Sequence, residues 1–132
     1  MHQLNERVTA LFNKTKNCTL STNGEYPNTI VIMFKEINNK GEIQLCDVFM
    51  NKTLANLEKD AHVSVVVYEG LEGYQIKGTA RWTDDAALVE ASNAKTSQFG
   101  LKTKGVVIVT PESAEVLTPG RYENPPHCIR WP

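Results

Sequence analysis

Asp47-Val48-Phe49-Met50-Asn51-Lys52-Thr53-Leu54-Ala55-Asn56-Leu57 decides the reading of this chain. It opens as a strand, with Ile43, Leu45, Asp47 and Phe49 on one face by period two. It closes as a short helix running to about Asp60, with Leu54, Leu57 and Ala61 at helical spacing. Between them lies a polar turn carrying one cation. The first turn of a helix presents backbone N–H groups without intrahelical partners, at the positive end of the macrodipole. An ammonium at Lys52, a hydroxyl at Thr53 and an amide at Asn56 therefore converge where a phosphate is best held. Asn and Thr are also ordinary capping residues, so a capped helix with a solvated lysine fits the same letters.

Strands flank this turn. Cys18 to Thr22 reads as a strand ended by a tight Asn23-Gly24 turn, and Asn28 to Phe34 as a strand enclosed on both faces. Asn38-Asn39-Lys40-Gly41 turns into a strand over 42–49. Val63 to Tyr68 is apolar on both faces, and in 74–82 Tyr74, Ile76, Ala80 and Trp82 share one face. Gly78 inside that segment predicts a bend or a close backbone approach. Val106 to Val109 and Ala114 to Leu117 predict two more strands around Pro111. Leu4, Val8, Leu11 and Phe12 mark an N-terminal helix within 1–16. Thr83-Asp84-Asp85 opens a third helix that carries Leu88, Ala91 and Ser92 and fades near Ser97. Residues 118–132 are an irregular Pro-rich tail punctuated by Tyr122, His127 and Trp131. Six or seven short strands at this spacing favour a closed or nearly closed barrel.

A chain of 132 residues suits one domain. Fourteen basic against 15 acidic residues give a formal charge of −1, which argues against a nucleic-acid binder. No apolar run approaches the roughly 20 residues of a membrane helix, and 1–20 lack a secretory pattern, so a soluble, cytoplasmic protein is expected. Cys18, Cys46 and Cys128 are widely separated and read as free thiols. His2, His62 and His127 are too scattered for a triad or a metal site. Glycine-rich phosphate loops, the nucleophile elbow and the metalloprotease signature are all missing.

Three segments together carry a resemblance: 49–57, Val63 to Val67, and Gly73-Tyr74-Gln75-Ile76-Lys77-Gly78-Thr79-Ala80. Their order and spacing are similar to the FMN-binding split barrels of the pyridoxamine 5′-phosphate oxidase-like superfamily, in particular its small bacterial FMN-binding proteins. The match runs from about Cys18 to Leu117. The resemblance implies a mainly β fold, a six-stranded antiparallel Greek-key barrel with flanking helices. It also implies a homodimer with FMN at the subunit interface. By the same resemblance Lys52 and Thr53 hold the FMN phosphate, and Asn56 supports that loop. Asn28 and Thr29 lie near the isoalloxazine ring, and Asp47, Val48, Phe49 and Met50 run along the ribityl chain and ring through backbone groups. Gln75 either reaches the cofactor or faces solvent. Vitamin-producing oxidases of this superfamily use further basic and aromatic residues late in a longer chain. Here only Arg121, Arg130 and Trp131 are offered, without that spacing. The implied function is therefore a redox flavoprotein: a reductase fed by a nicotinamide or protein electron donor, or an electron carrier. A non-catalytic barrel that senses FMN, another phosphorylated ligand or haem is the alternative. No catalytic acid or base is assigned, since the flavin carries the redox chemistry itself.

Overall fold

The computed structural model describes residues 4–117 and the backbone of 128–130. Three α-helices, α1 (Glu6–Lys14), α2 (Lys52–Lys59) and α3 (Ala86–Thr96), flank one antiparallel sheet. Its strands are β1 (Cys18–Thr22), β2 (Asn28–Ile32), β3 (Lys35–Ile37), β4 (Ile43–Asp47), β5 (His62–Glu69), β6 (Glu72–Thr83) and β7 (Gly105–Val116). A short β8 (Cys128–Arg130) pairs with β7 outside the main path. The order is β2-β1-β5-β6-β7-β4-β3, so the two ends of the sheet are consecutive in sequence. β2 and β3 are separated only by Met33 and Phe34, and Cys46 N donates to the Phe34 carbonyl at 3.0 Å across the joint. One bent segment thus pairs with β1 through its first half and with β4 through its second, curling the sheet into a split barrel. Along the main path, counting that segment once gives the expected six strands and counting its halves gives seven, with β8 in addition.

The barrel fills with inward residues, among them Leu20, Ile43, Leu45, Val65, Val67, Tyr74, Ile76, Val107 and Val109. Val8, Leu11 and Phe12 of α1 join this core. The Lys35 ammonium binds the Phe12 carbonyl and lies 4.2 Å from the centre of the Phe12 ring, which fastens α1 to the barrel. α3 lays Leu88, Ala91 and Ser92 against the outer side of β3 and β4, and Lys95 pairs with Glu36. No described helix is long and apolar enough to cross a membrane.

Several expectations need correction. β4 stops at Asp47 rather than at 49, because the chain bends there; Phe49 leaves the buried face and is 78% exposed, while Met50 turns inward. Ala61 lies beyond α2, whose buried positions are Thr53 and Asn56. β2 is not enclosed on both sides within one chain: it stands at the end of the sheet path and leaves Val31 70% exposed. Tyr68 is likewise exposed. The β1–β2 connection spans 23–27 rather than a two-residue turn, since Thr22 pairs with Asn28. α3 is capped by Asp85, whose carboxylate accepts from Leu88 N; Thr83 accepts from Asp85 N.

The two strands expected around Pro111 are one, β7. Proline has no N–H for a ladder, so an interior strand tolerates it only where pairing is irregular. Here Pro111 faces Gly78, where the β6–β7 register shifts. A Cβ on Gly78 would sit 2.1 Å from the Thr110 carbonyl oxygen. The close approach predicted for Gly78 and the tolerance of Pro111 have this one cause.

Candidate functional site

Asp47 builds the site without entering it. It is fully buried, its Oδ1 accepts from Met50 N at 2.8 Å, and its Oδ2 accepts from Trp82 Nε1 at 2.9 Å. Its carbonyl accepts from Lys104 N at 2.8 Å. Trp82 is seated in turn on Gly105, where a Cβ would meet the indole at 2.4 Å. These bonds turn the chain by a fixed amount between β4 and α2, which points the first turn of α2 at a groove. The groove has a volume of about 420 Å³, within the range of ligand sites.

One end of the groove is polar. Lys52 is exposed, and no carboxylate pairs with it among the described residues. Asn51, at the cap of α2, makes no side-chain cap hydrogen bond, so the first-turn N–H groups have no acceptor from it. That distinguishes this helix from a conventionally capped one and leaves it able to take an anion. Thr53 is 1% exposed, and its Oγ1 accepts from Asn28 Nδ2 at 3.1 Å. Asn56 sits behind it and donates to Thr22 Oγ1 at 3.0 Å, tying α2 to β1. Asn28, Lys52 and Thr53 line one end together.

The other end is apolar. It runs along the joint between β2 and β3, with Ile30, Val31, Met33 and Phe34 on one side and Val48, Phe49 and Met50 on the other. Phe34 is braced edge-on by Phe99 at 5.4 Å, and Leu101 completes that wall. The exposed Val31, Met33 and Phe49 leave an apolar rim around the mouth. A flat, largely apolar group with an anionic tail matches such a groove.

Of the residues singled out from the sequence, Asn28, Val48, Phe49, Met50, Lys52 and Thr53 line the groove, and Asp47 and Asn56 shape it from behind. Thr29 and Gln75 do not join them within one chain. Thr29 bonds to Ser21 on the opposite face of β2, at 2.8 Å between hydroxyl oxygens. Gln75 opens into a separate polar hollow with Ser21, His62, Ser64 and Lys77. The tail residues Tyr122, His127 and Trp131 lie outside the described residues. Sequence reading missed Ile30, Val31, Met33 and Phe34 as groove residues, although the apolar character of both faces of 28–34 was the available signal. Leu101 and Phe99 had none.

Two thiols and one carboxylate carry the remaining local chemistry. Burial pushes the Cys18 thiol up from 9.0 to about 12, against the opposing pull of Lys35. Burial lowers Lys35, countered by Cys18. Cys46 is half-buried beside the groove. Asp60 is held down to about 2 by hydrogen bonds from the His62 backbone and ring and from Asn23.

The family described as pyridoxamine 5′-phosphate oxidase matches residues 4–122. Among solved structures, the HupZ protein of Group A Streptococcus is 19% identical, with a TM-score of 0.77 over 89% of this chain and 97% of that one. An FMN-binding protein from Syntrophomonas wolfei is 16% identical, with a TM-score of 0.75 over 86% and 85% of the two chains. A protein of Clostridium acetobutylicum related to general stress protein 26, of the pyridoxinephosphate oxidase family, is 18% identical, with a TM-score of 0.70 over 85% and 86%. At these identities the likeness concerns the fold. No curated protein matches the chain in sequence.

Proposed function

The chain belongs to the pyridoxamine 5′-phosphate oxidase family, and from that membership and the two-ended groove we infer that it is an FMN-binding flavoprotein with a redox role. The observation that carries the reading is the junction of Lys52, unpaired among the described residues, at a helix start without a side-chain cap, with an apolar slot of about 420 Å³. The residues present fit FMN. Lys52, Thr53 and the first-turn N–H groups of α2 hold the phosphate, Asn28 orients Thr53, and Asn56 keeps the helix start in place. Ile30, Met33, Phe34 and Met50 take the ring. When bound, FMN supplies transfer of electrons, singly or as hydride. This chain's residues bind and orient it and keep water from one face. No side chain is needed to move a proton in the simplest of these transfers.

A homodimer completes the reading. Val31, Met33 and Phe49 form an apolar rim that a monomer would leave in water, and such patches mark interfaces. A second copy covering that rim would also give Thr29 and Gln75, on the outer sheet face, a route to the groove of its partner. A reduced nicotinamide or a protein donor would supply electrons.

The test is a visible absorption spectrum of the purified protein, before and after addition of FMN and then of NADH or NADPH. A saturable flavin spectrum is expected, and bleaching by the nicotinamide identifies a reductase; a colourless protein that takes up no FMN refutes the reading. Light scattering is expected to give a dimer at micromolar concentration, and a monomer that binds FMN with full affinity removes the shared groove.

A further inference from the structure

The groove does not end at Lys52. Beyond it lies a second cavity of about 230 Å³, lined by Gly24, Glu25, Tyr26, Pro27 and Asn56, and sharing Asn28 and Lys52 with the first. Lys52 and Asn28 therefore stand at a waist between two compartments. A phosphate bound at the waist would have space on both sides of it, whereas a site for a mononucleotide needs space on one.

We propose that this second cavity is the nucleoside subsite of a flavin dinucleotide, so that the ligand runs from the apolar slot, through the waist, to the β1–β2 loop. The proposal rests on the flavin reading above and extends it. At 230 Å³ the compartment is smaller than the few hundred Å³ of a self-sufficient ligand site, and it suits part of a larger molecule. Its chemistry is that of a base and a sugar. Tyr26 is 78% exposed on the loop, a flat surface on which a base can stack. Glu25 brings a carboxylate, which accepts from both hydroxyls of a ribose. The ligand expected here thus has an unphosphorylated ribose at its far end.

Asn56 supplies the independent observation. It is nine-tenths buried, its Nδ2 is used on Thr22, and among the described residues its Oδ1 accepts no hydrogen bond. That oxygen lies against Gly24, where a Cβ would come within 2.5 Å of it. A buried acceptor without a donor is costly unless a ligand or water provides one, and the exocyclic amino group of a base or a sugar hydroxyl would do so. Glycine at 24 keeps the loop clear of it. A reduced nicotinamide is the wrong occupant, because it must lie on the flavin ring at the opposite end of the groove.

The test compares FMN and FAD by quenching of flavin fluorescence on the full-length protein, in the wild type and in Tyr26→Ala. Tyr26 is a surface loop residue, so the variant is expected to fold. The wild type is expected to bind FAD at least as tightly as FMN, and Tyr26→Ala to weaken FAD about tenfold while leaving FMN unchanged, as expected for the loss of one stacking contact. FAD binding tenfold weaker than FMN in the wild type, or equal effects of Tyr26→Ala on both, overturns the subsite and leaves the FMN reading standing. Binding of neither flavin overturns both. A second variant, Glu25→Ala, removes the carboxylate from the loop side of the cavity and should weaken FAD alone; if circular dichroism shows it folded and both affinities are unaltered, the cavity is not used.

Discussion

Lys52→Ala separates binding from folding more sharply than any other single change. The side chain is exposed at the first position of α2 and forms no ion pair among the described residues, so its removal takes no buried contact and no partner from the fold. Alanine is also a better helix former. Stability should therefore stay within about 0.5 kcal/mol of the parent. Binding is a different matter. A hydrogen bond from an ammonium to a phosphate contributes roughly 1.5–3 kcal/mol, which is about a 10- to 150-fold change in Kd. Because Lys52 is exposed, part of this attraction is long-ranged and screened, so the parent affinity should fall as salt rises while that of the variant falls less. Fluorescence titration with FMN, and in parallel with riboflavin, isolates the effect: riboflavin lacks the phosphate and should bind both proteins alike. Thermal melting of the two proteins supplies the folding control. An unchanged Kd for FMN, or equal losses for FMN and riboflavin, would refute the placement of the phosphate at Lys52.

Other perturbations test the scaffold. Asp47→Ala leaves Met50 N and Trp82 Nε1 without their acceptor in a buried setting, so a loss of about 2–4 kcal/mol is expected in urea unfolding; a loss under 1 kcal/mol means the turn is held by something else. Gly78→Ala forces a Cβ into the Thr110 carbonyl, and strand separation at that point should cost about 2–3 kcal/mol and lower Tm by roughly 10 °C, with an unaltered Tm counting against the tight approach. Cys18 gives a pH signature. Folding raises its pKa, so it adds stability below 9.0 and that contribution is lost as pH rises from 9.0 toward about 12. Unfolding midpoints should fall across that window in the parent and fall less in Cys18→Ala; identical slopes would place the effect elsewhere.

The parts of the fold legible in the sequence are those fixed by local rules. The helical spacing of Val8, Leu11 and Phe12 and the alternation from Tyr74 to Ala80 needed no knowledge of neighbours, and both hold, but Trp82, expected on the same face, is exposed. The lysine at the helix start was legible for the same reason. What escaped was decided by contacts remote in sequence. Asp47 fits the inward face by period two, but nothing near it announces Trp82, 35 positions on, as its partner. Pro111 argued for a break because its compensation lies in Gly78, on another strand. The apolar residues of 28–34 read as doubly enclosed, whereas all five of them line a groove or its rim. Period alone cannot tell a core from a surface awaiting cover. Gln75 stood on a motif, and its position on the outer face of β6 follows from the pairing of β5 with β6, which no single segment reveals.

The joint at Met33 and Phe34 has a consequence for dynamics. Apart from the register shift at Gly78 the described strands pair in regular ladders, but at this joint the sheet is bridged by the bond from Cys46 N to the Phe34 carbonyl, beside the apolar slot. The lowest-energy opening of the molecule should therefore be an unzipping along that seam, with amides near Cys46 exchanging with solvent before those of β5 and β6. A ligand seated in the slot spans both lips of the seam. Binding would then act as mortar, slowing exchange at the seam by the factor 1 + [L]/Kd. The rate at which ligand leaves would be tied to how often the seam breathes.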